Sequence, residues 1–109
     1  MLISSVDDRV ECPQGVVPEP LATDHPVLRG VPGPWPAVLG YNRVTAREGA
    51  EVVVSCGADP LVACYRHDRG RSAVFTSDCA PHWAPPEFLD WPGYRVLWPN
   101  LIQWLAGAE

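Results

Sequence analysis

The stretch Glu51-Val-Val-Val-Ser-Cys-Gly-Ala-Asp-Pro-Leu-Val-Ala-Cys-Tyr-Arg-His-Asp-Arg-Gly-Arg-Ser-Ala-Val-Phe-Thr-Ser77 decides the fold class. It holds three β-type runs, 51–56, 61–66 and 71–77, rich in Val and other strand formers. Gly57-Ala-Asp-Pro60 and His67-Asp-Arg-Gly70 separate them, and both are turn compositions. Three strands joined by short turns predict a meander or hairpin stack. Ala73-Val74-Phe75 is apolar at successive positions, so both faces of that strand are apolar. Such a strand is expected to be covered on both sides, as in the sheet of an α/β protein.

Downstream, Cys79 to Pro86 is irregular, with three prolines in six residues from Pro81. From Pro92 to Ala106 the apolar positions are Tyr94, Leu97, Trp98, Leu101, Ile102, Trp104 and Leu105. Spacings of three and four predict an amphipathic helix, with Asp90 as N-cap and Gly107 as C-cap. Pro99 is expected to kink or split that helix, because it removes a donor and clashes with the preceding turn. Upstream, Val38 to Thr45 reads as a partly alternating strand, and Asp7 to Pro13 as a short extended segment that Pro13 stops. Between them lies a segment carrying Pro18, Pro20, Pro26, Pro32, Pro34 and Pro36, where no long helix or central strand can persist. Within it Asp24 to Val31 reads as one helical turn, N-capped by Asp24 and ended at Gly30.

Composition sets the outer bounds. The 109 residues have one-domain size, and 47% are apolar, with five Trp. Thirteen Pro and nine Gly make up about a fifth of the chain, below the share that marks low complexity. The net charge is −5, and every basic residue is Arg. A general nucleic-acid or anionic-membrane binder needs a basic footprint, so neither partner is expected. No apolar run approaches a membrane span, and Met1-Leu2-Ile3-Ser4-Ser5 lacks the basic n-region of a signal peptide. Cys12, Cys56, Cys64 and Cys79 show no close repeated spacing. They are expected to be reduced and mostly buried, in a cytoplasmic protein.

Several segments together carry a resemblance. They are Leu39-Gly-Tyr-Asn-Arg-Val-Thr-Ala-Arg47, Gly57-Ala-Asp-Pro-Leu61, Gly70-Arg-Ser-Ala-Val-Phe-Thr-Ser-Asp-Cys-Ala-Pro-His-Trp83, and the closing Leu97-Trp98, Asn100-Leu101 and Trp104-Leu105. Asp7-Asp-Arg-Val-Glu11 and His25-Pro26 with Gly30 fit as well. The sequence resembles the putative glutamine amidotransferase family, of the class I glutamine amidotransferase-like superfamily, near the trehalose-utilisation-type proteins. Asp78-Cys-Ala-Pro-His-Trp83 is the most specific part, and Met1-Leu2-Ile3 is expected to contribute nothing to the resemblance. The resemblance implies an α/β flavodoxin-like sandwich about twice this length. Residues 1–109 would form a single, partial domain corresponding to its C-terminal part, with a β-rich middle and a C-terminal amphipathic helix. The half carrying the first parallel strands and the nucleophile would be missing.

The superfamily's chemistry uses a Cys nucleophile, a His base and a Glu that orients the His. By position after the late strand, His82 resembles the base, and Glu87 or Asp78 is the candidate orienting acid. The usual His-x-Glu spacing is absent, because position 84 is Ala. A purely structural loop histidine is the competing reading. Cys79 neighbours His82, but the resemblance places the nucleophile in the missing half, and packing is its ordinary role. Asp78, Cys79 and His82, with His25 or His67 added, make only a weak metal pattern, so neither metal nor cofactor is expected. Arg43 suits either a bound carboxylate or a surface ion pair. Gly70-Arg71 is a turn and not a phosphate loop, and His67-Asp68 is expected to cap an exposed hairpin. The expected function is a glutamine amidotransferase-like domain, catalytically silent alone. The alternative is a non-catalytic binding or scaffold domain. The Trp residues are expected mainly in the core, with part of their surface left for self-association or for the missing N-terminal half.

Overall fold

A computed structural model describes residues 8–78 and 82–107. The three β runs fold as expected. They form β4 (Glu51–Cys56), β5 (Asp59–His67) and β6 (Gly70–Phe75), paired antiparallel in that order. Gly57 and Ala58 alone join β4 to β5, since Cys56 already faces Asp59. Gly57 supplies the left-handed residue of this tight turn at φ +61°. At the β5–β6 turn Asp68 takes φ 51°, which Asp tolerates better than most residues. A two-residue strand β2 (Glu19–Pro20) pairs on the outside of β4. Pro20 fits there because an edge strand does not need every donor. The sheet order is β2-β4-β5-β6.

A second, two-stranded sheet pairs β1 (Arg9–Val16) with β3 (Val38–Asn42), again antiparallel. β1 runs past Pro13, contrary to the sequence expectation. The register shifts between Glu11 and Val16, so the proline lies where the ladder is interrupted. The described chain is thus a mixed α/β unit with two antiparallel sheets and a C-terminal helix.

The doubly buried strand is β5, where Leu61, Val62, Ala63 and Cys64 are all at most 3% exposed. Ala73, Val74 and Phe75 of β6 are only half-buried. Composition predicted the reverse emphasis. β5 has a strand on each side and β6 has one among the described residues, and that difference sets their burial.

α1 (Pro86–Leu89) and α2 (Pro92–Leu105) cover one face of the four-stranded sheet. Antiparallel partners share a face, so Val62 with Phe75 and Arg66 with Arg71 point the same way. Phe75 meets Phe88 of α1 and Trp98 of α2 there, at centroid distances of 6.4 and 5.2 Å. Arg71 donates to the Trp104 carbonyl at 2.7 Å and lies over its ring. Both helix ends differ from expectation by one residue, with Trp91 as N-cap and Ala106 as C-cap. Trp91 occupies the N-cap without a side-chain bond, so Asp90 does not cap. Gly107, the residue after the Ala106 cap, takes φ +85° and donates to Trp104 O, so the glycine still ends the helix. Pro99 does not split the helix. It and Arg95 are exposed, so the carbonyl deprived of its donor lies on the solvent side.

The turn at Pro26–Leu28 is a 3-10 helix. Its N-cap is His25, whose Nδ1 accepts from Val27 N at 3.1 Å, and not Asp24. Asn100 of α2 clamps it by donating to the carbonyls of Val27 and Arg29. No described helix is long and apolar enough to cross a membrane. The core stripe of α2 is Gly93, Leu97, Leu101 and Trp104. Leu97→Ala should therefore cost about 2–5 kcal/mol, whereas Ile102→Ala, at 64% exposure, should stay within about 0.5 kcal/mol. Urea denaturation of the two variants checks the assignment.

Candidate functional site

The chain leaves β6 along the edge of β3. Asn42 N donates to Thr76 O at 2.8 Å, and Ser77 Oγ donates to Gly40 O at 2.7 Å. Thr76, 3% exposed, turns its hydroxyl onto Pro60 O at 2.9 Å. After residue 78 the chain returns to the same strand, because Leu39 N donates to Trp83 O at 2.7 Å. Trp83 is the anchor of this loop. Its ring is buried and its Nε1 donates to Glu11 Oε1 at 3.1 Å. The ring lies directly on Gly40, where any Cβ would overlap the indole.

Two of the sequence candidates meet on this anchor. His82 Nδ1 lies 3.0 Å from Asp78 Oδ2, and the same oxygen accepts from Trp83 N at 3.1 Å. The imidazole stacks on the Trp83 ring with centroids 5.4 Å apart and planes 20° from parallel. An ionised carboxylate can only accept, so Nδ1 carries the hydrogen and Nε2 is left as the basic nitrogen. That is the arrangement of a general base with an orienting acid. The His82 side chain is 68% exposed. Glu87 stands exposed in the first turn of α1 and makes no bond to His82.

No described cysteine is hydrogen-bonded to His82. Cys79 lies outside the described residues. Cys56 and Cys64 are buried thiols. Burial, with Cys12 and Asp59 nearby, pushes the Cys56 thiol up to about 12. Burial, with Glu51 nearby, pushes the Cys64 thiol up to about 11. A nucleophilic thiol needs the opposite shift.

A second Cys–His–Glu grouping escaped the sequence reading. Cys64, His25 and Glu51 line one cavity of about 180 Å³ beside Trp104. His25 Nε2 lies 3.7 Å from Glu51 Oε1. Its Nδ1 is committed to Val27 N, so the hydrogen sits on Nε2 and the ring offers no base to Cys64. The cluster is structural. Positions 25, 51 and 64 carry no spacing signal, and only the packing of the 3-10 turn against β4 and β5 brings them together.

The remaining candidates have ordinary partners. Arg43 Nε lies 3.6 Å from Asp59 Oδ2, which also accepts from the Tyr41 hydroxyl at 2.6 Å. Burial, and then that carboxylate, holds the Tyr41 phenol above its usual range. His67 faces Asp68 at 3.6 Å in the exposed β5–β6 turn. Among the described residues no group of three or more His, Cys, Asp or Glu is placed to hold a metal.

Comparison with known proteins adds a family and two structures. A family model described as putative glutamine amidotransferase matches residues 1–107. The structure is similar to cytoplasmic protein STM3548 from Salmonella typhimurium, at 42% identity and TM-score 0.86. That match covers 91% of this chain and 40% of the other. It is also similar to cytoplasmic protein STM1381 from Salmonella typhimurium LT2, at 38% identity and TM-score 0.85. Here the coverage is 92% and 40%. The chain thus spans well under half the length of either structure. No curated protein matches it.

Gly40→Ala should displace Trp83 and cost about 1–3 kcal/mol, read by urea denaturation. The thiols predict an alkaline limit. In the unfolded chain they ionise near 9.0, and in the folded chain only toward about 11 and 12. The stability these two thiols contribute is fully present below pH 9 and is lost as pH rises through that window, because the unfolded state loses its protons first. The urea midpoint should be lower at pH 10.5 than at pH 8.

Proposed function

This chain belongs to the putative glutamine amidotransferase family, and we propose that it supplies the base side of an amide-transfer site. His82 is the proton acceptor and Asp78 the residue that positions it. The observation that carries this reading is the pair of bonds on Asp78 Oδ2, one to His82 Nδ1 and one to Trp83 N. Together with stacking on Trp83, they fix the imidazole in a single tautomer and leave Nε2 for a thiol proton.

In this reading a thiolate attacks the carbonyl carbon of a glutamine side chain. The proton taken by His82 then passes to the departing ammonia, and water resolves the thioester. The nucleophile comes from the part of the family fold that this chain does not span. The flavodoxin-like sandwich, with its first parallel strands, belongs to that larger unit, and the 109 residues alone are catalytically silent. The exposure of His82 supports the reading, since a base open to solvent needs a covering surface to exclude water. The names of the two Salmonella relatives support a cytoplasmic setting.

Ammonia release from glutamine tests the proposal. The isolated chain should release none. A gene product spanning the full relative length should be active, and His82→Ala should lower its rate by about 10²–10⁴-fold. Equal rates with and without His82 would overturn the catalytic reading. The non-catalytic alternative would then stand.

A further inference from the structure

The His82 side chain is 68% exposed, so few contacts can hold its ring. Asp78 Oδ2, 3.0 Å from Nδ1, is one of them. A single hydrogen bond selects the tautomer, yet the ring can still turn about it, because the outer torsion of a histidine is broad. The plane of the imidazole is set by its other contact, the face of Trp83, with the two planes 20° apart. Whatever fixes the indole therefore fixes where His82 Nε2 points.

The backbone bonds of Trp83, to Leu39 and Asp78, tether the residue without orienting its ring. The outer torsion of a tryptophan is broad and roughly two-fold, so a tethered backbone still permits more than one indole orientation. Gly40 supplies room for the ring but no directional bond. The directional contact is Nε1 to Glu11 Oε1, at 3.1 Å. Glu11 lies directly opposite Gly40 in the β1–β3 ladder. Directly opposite residues of an antiparallel pair share a face, so the Glu11 side chain rises beside the space in which the indole lies. It is carried by the regular part of the ladder, ahead of the register shift in β1.

We propose that Glu11 is a third member of the base assembly, a positioning residue that acts on His82 through Trp83. Asp78 sets which nitrogen of His82 carries the hydrogen. Glu11 sets the plane of the ring, by fixing the indole against which it stacks. Nε2 is then presented in one direction, toward the thiol whose proton it takes. A base displaced by an ångström loses rate without weakening substrate binding. The effect of Glu11 on rate rests on the reading of His82 as the base, and its effect on the ring does not.

Nuclear magnetic resonance of the 109-residue chain tests the geometry. Stacking on an indole moves the ring protons of His82 upfield, so in the parent they should lie upfield of their positions in urea. Glu11→Ala should move them toward the urea positions. Glu11→Gln, whose amide oxygen still accepts from Nε1, should restore them. Circular dichroism and the ring protons of Phe75, which packs on Trp98, should stay unchanged. Trp83→Phe keeps a ring but has no indole N–H, and adding Glu11→Ala to it should move His82 no further. Should Glu11→Ala not fold, Glu11→Leu removes the acceptor while keeping most of the side chain. In a gene product spanning the full relative length, Glu11→Ala should lower kcat by about tenfold with KM unchanged. His82 ring protons that stay in place without the Glu11 acceptor overturn the proposal. So does a Glu11→Ala effect that persists in the Trp83→Phe background. Ammonia release unaffected by His82→Ala overturns the catalytic reading alone, and the ring protons still decide whether Glu11 positions the imidazole.

Discussion

The contact between Trp83 and Gly40 organises the molecule around its candidate site. β3 can accept an indole flat against its backbone only where no Cβ intervenes, and Gly40 is that position. Once seated, Trp83 is held at three points. Its backbone oxygen is bound by Leu39, its backbone nitrogen by Asp78, and its Nε1 by Glu11. Those bonds draw β1, β3 and the exit from β6 into one assembly. The two small sheets are therefore linked by the same residue that supports the His82 ring.

That arrangement explains how an exposed loop can hold a defined imidazole. Loops owe their order to what they are tied to. Here the ties are backbone bonds at Thr76 and Trp83, with Asp78 bridging the side-chain and backbone partners. A second aromatic group is formed by Trp35, Phe88 of α1 and Trp91, which pack together. Trp104 is gripped by Arg71, Arg66 and His25. Its indole N–H is buried without a hydrogen-bond partner among the described residues, as is that of Trp98.

Much of the architecture was legible locally. The β4–β5–β6 meander followed from Val-rich runs and the Gly57 and Asp68 turns. α2 followed from apolar periodicity and Gly107. Other local signals were overridden by packing. Pro13 did not stop β1, because the ladder is interrupted there and no donor is demanded. Pro99 did not split α2, because its free carbonyl partner faces solvent. The Asp24 and Asp90 caps failed because His25 and Trp91 take those places by tertiary packing.

By itself the sequence determined strand runs, turns, helix and family, and it placed Asp78 and His82 within one loop. Each of these depends on backbone preferences and side-chain periods that act over a few neighbouring residues. Tertiary structure alone decided that β5 and not β6 is doubly buried, and that one apolar stripe of α2 faces the core while Ile102 and Leu105 beside it are exposed. It also decided that Asp78 rather than Glu87 holds the His82 ring, and that Cys64 is a buried thiol beside a committed histidine. These outcomes join residues as far apart as 11, 40 and 83, whose meeting is set by packing between segments and by no local rule.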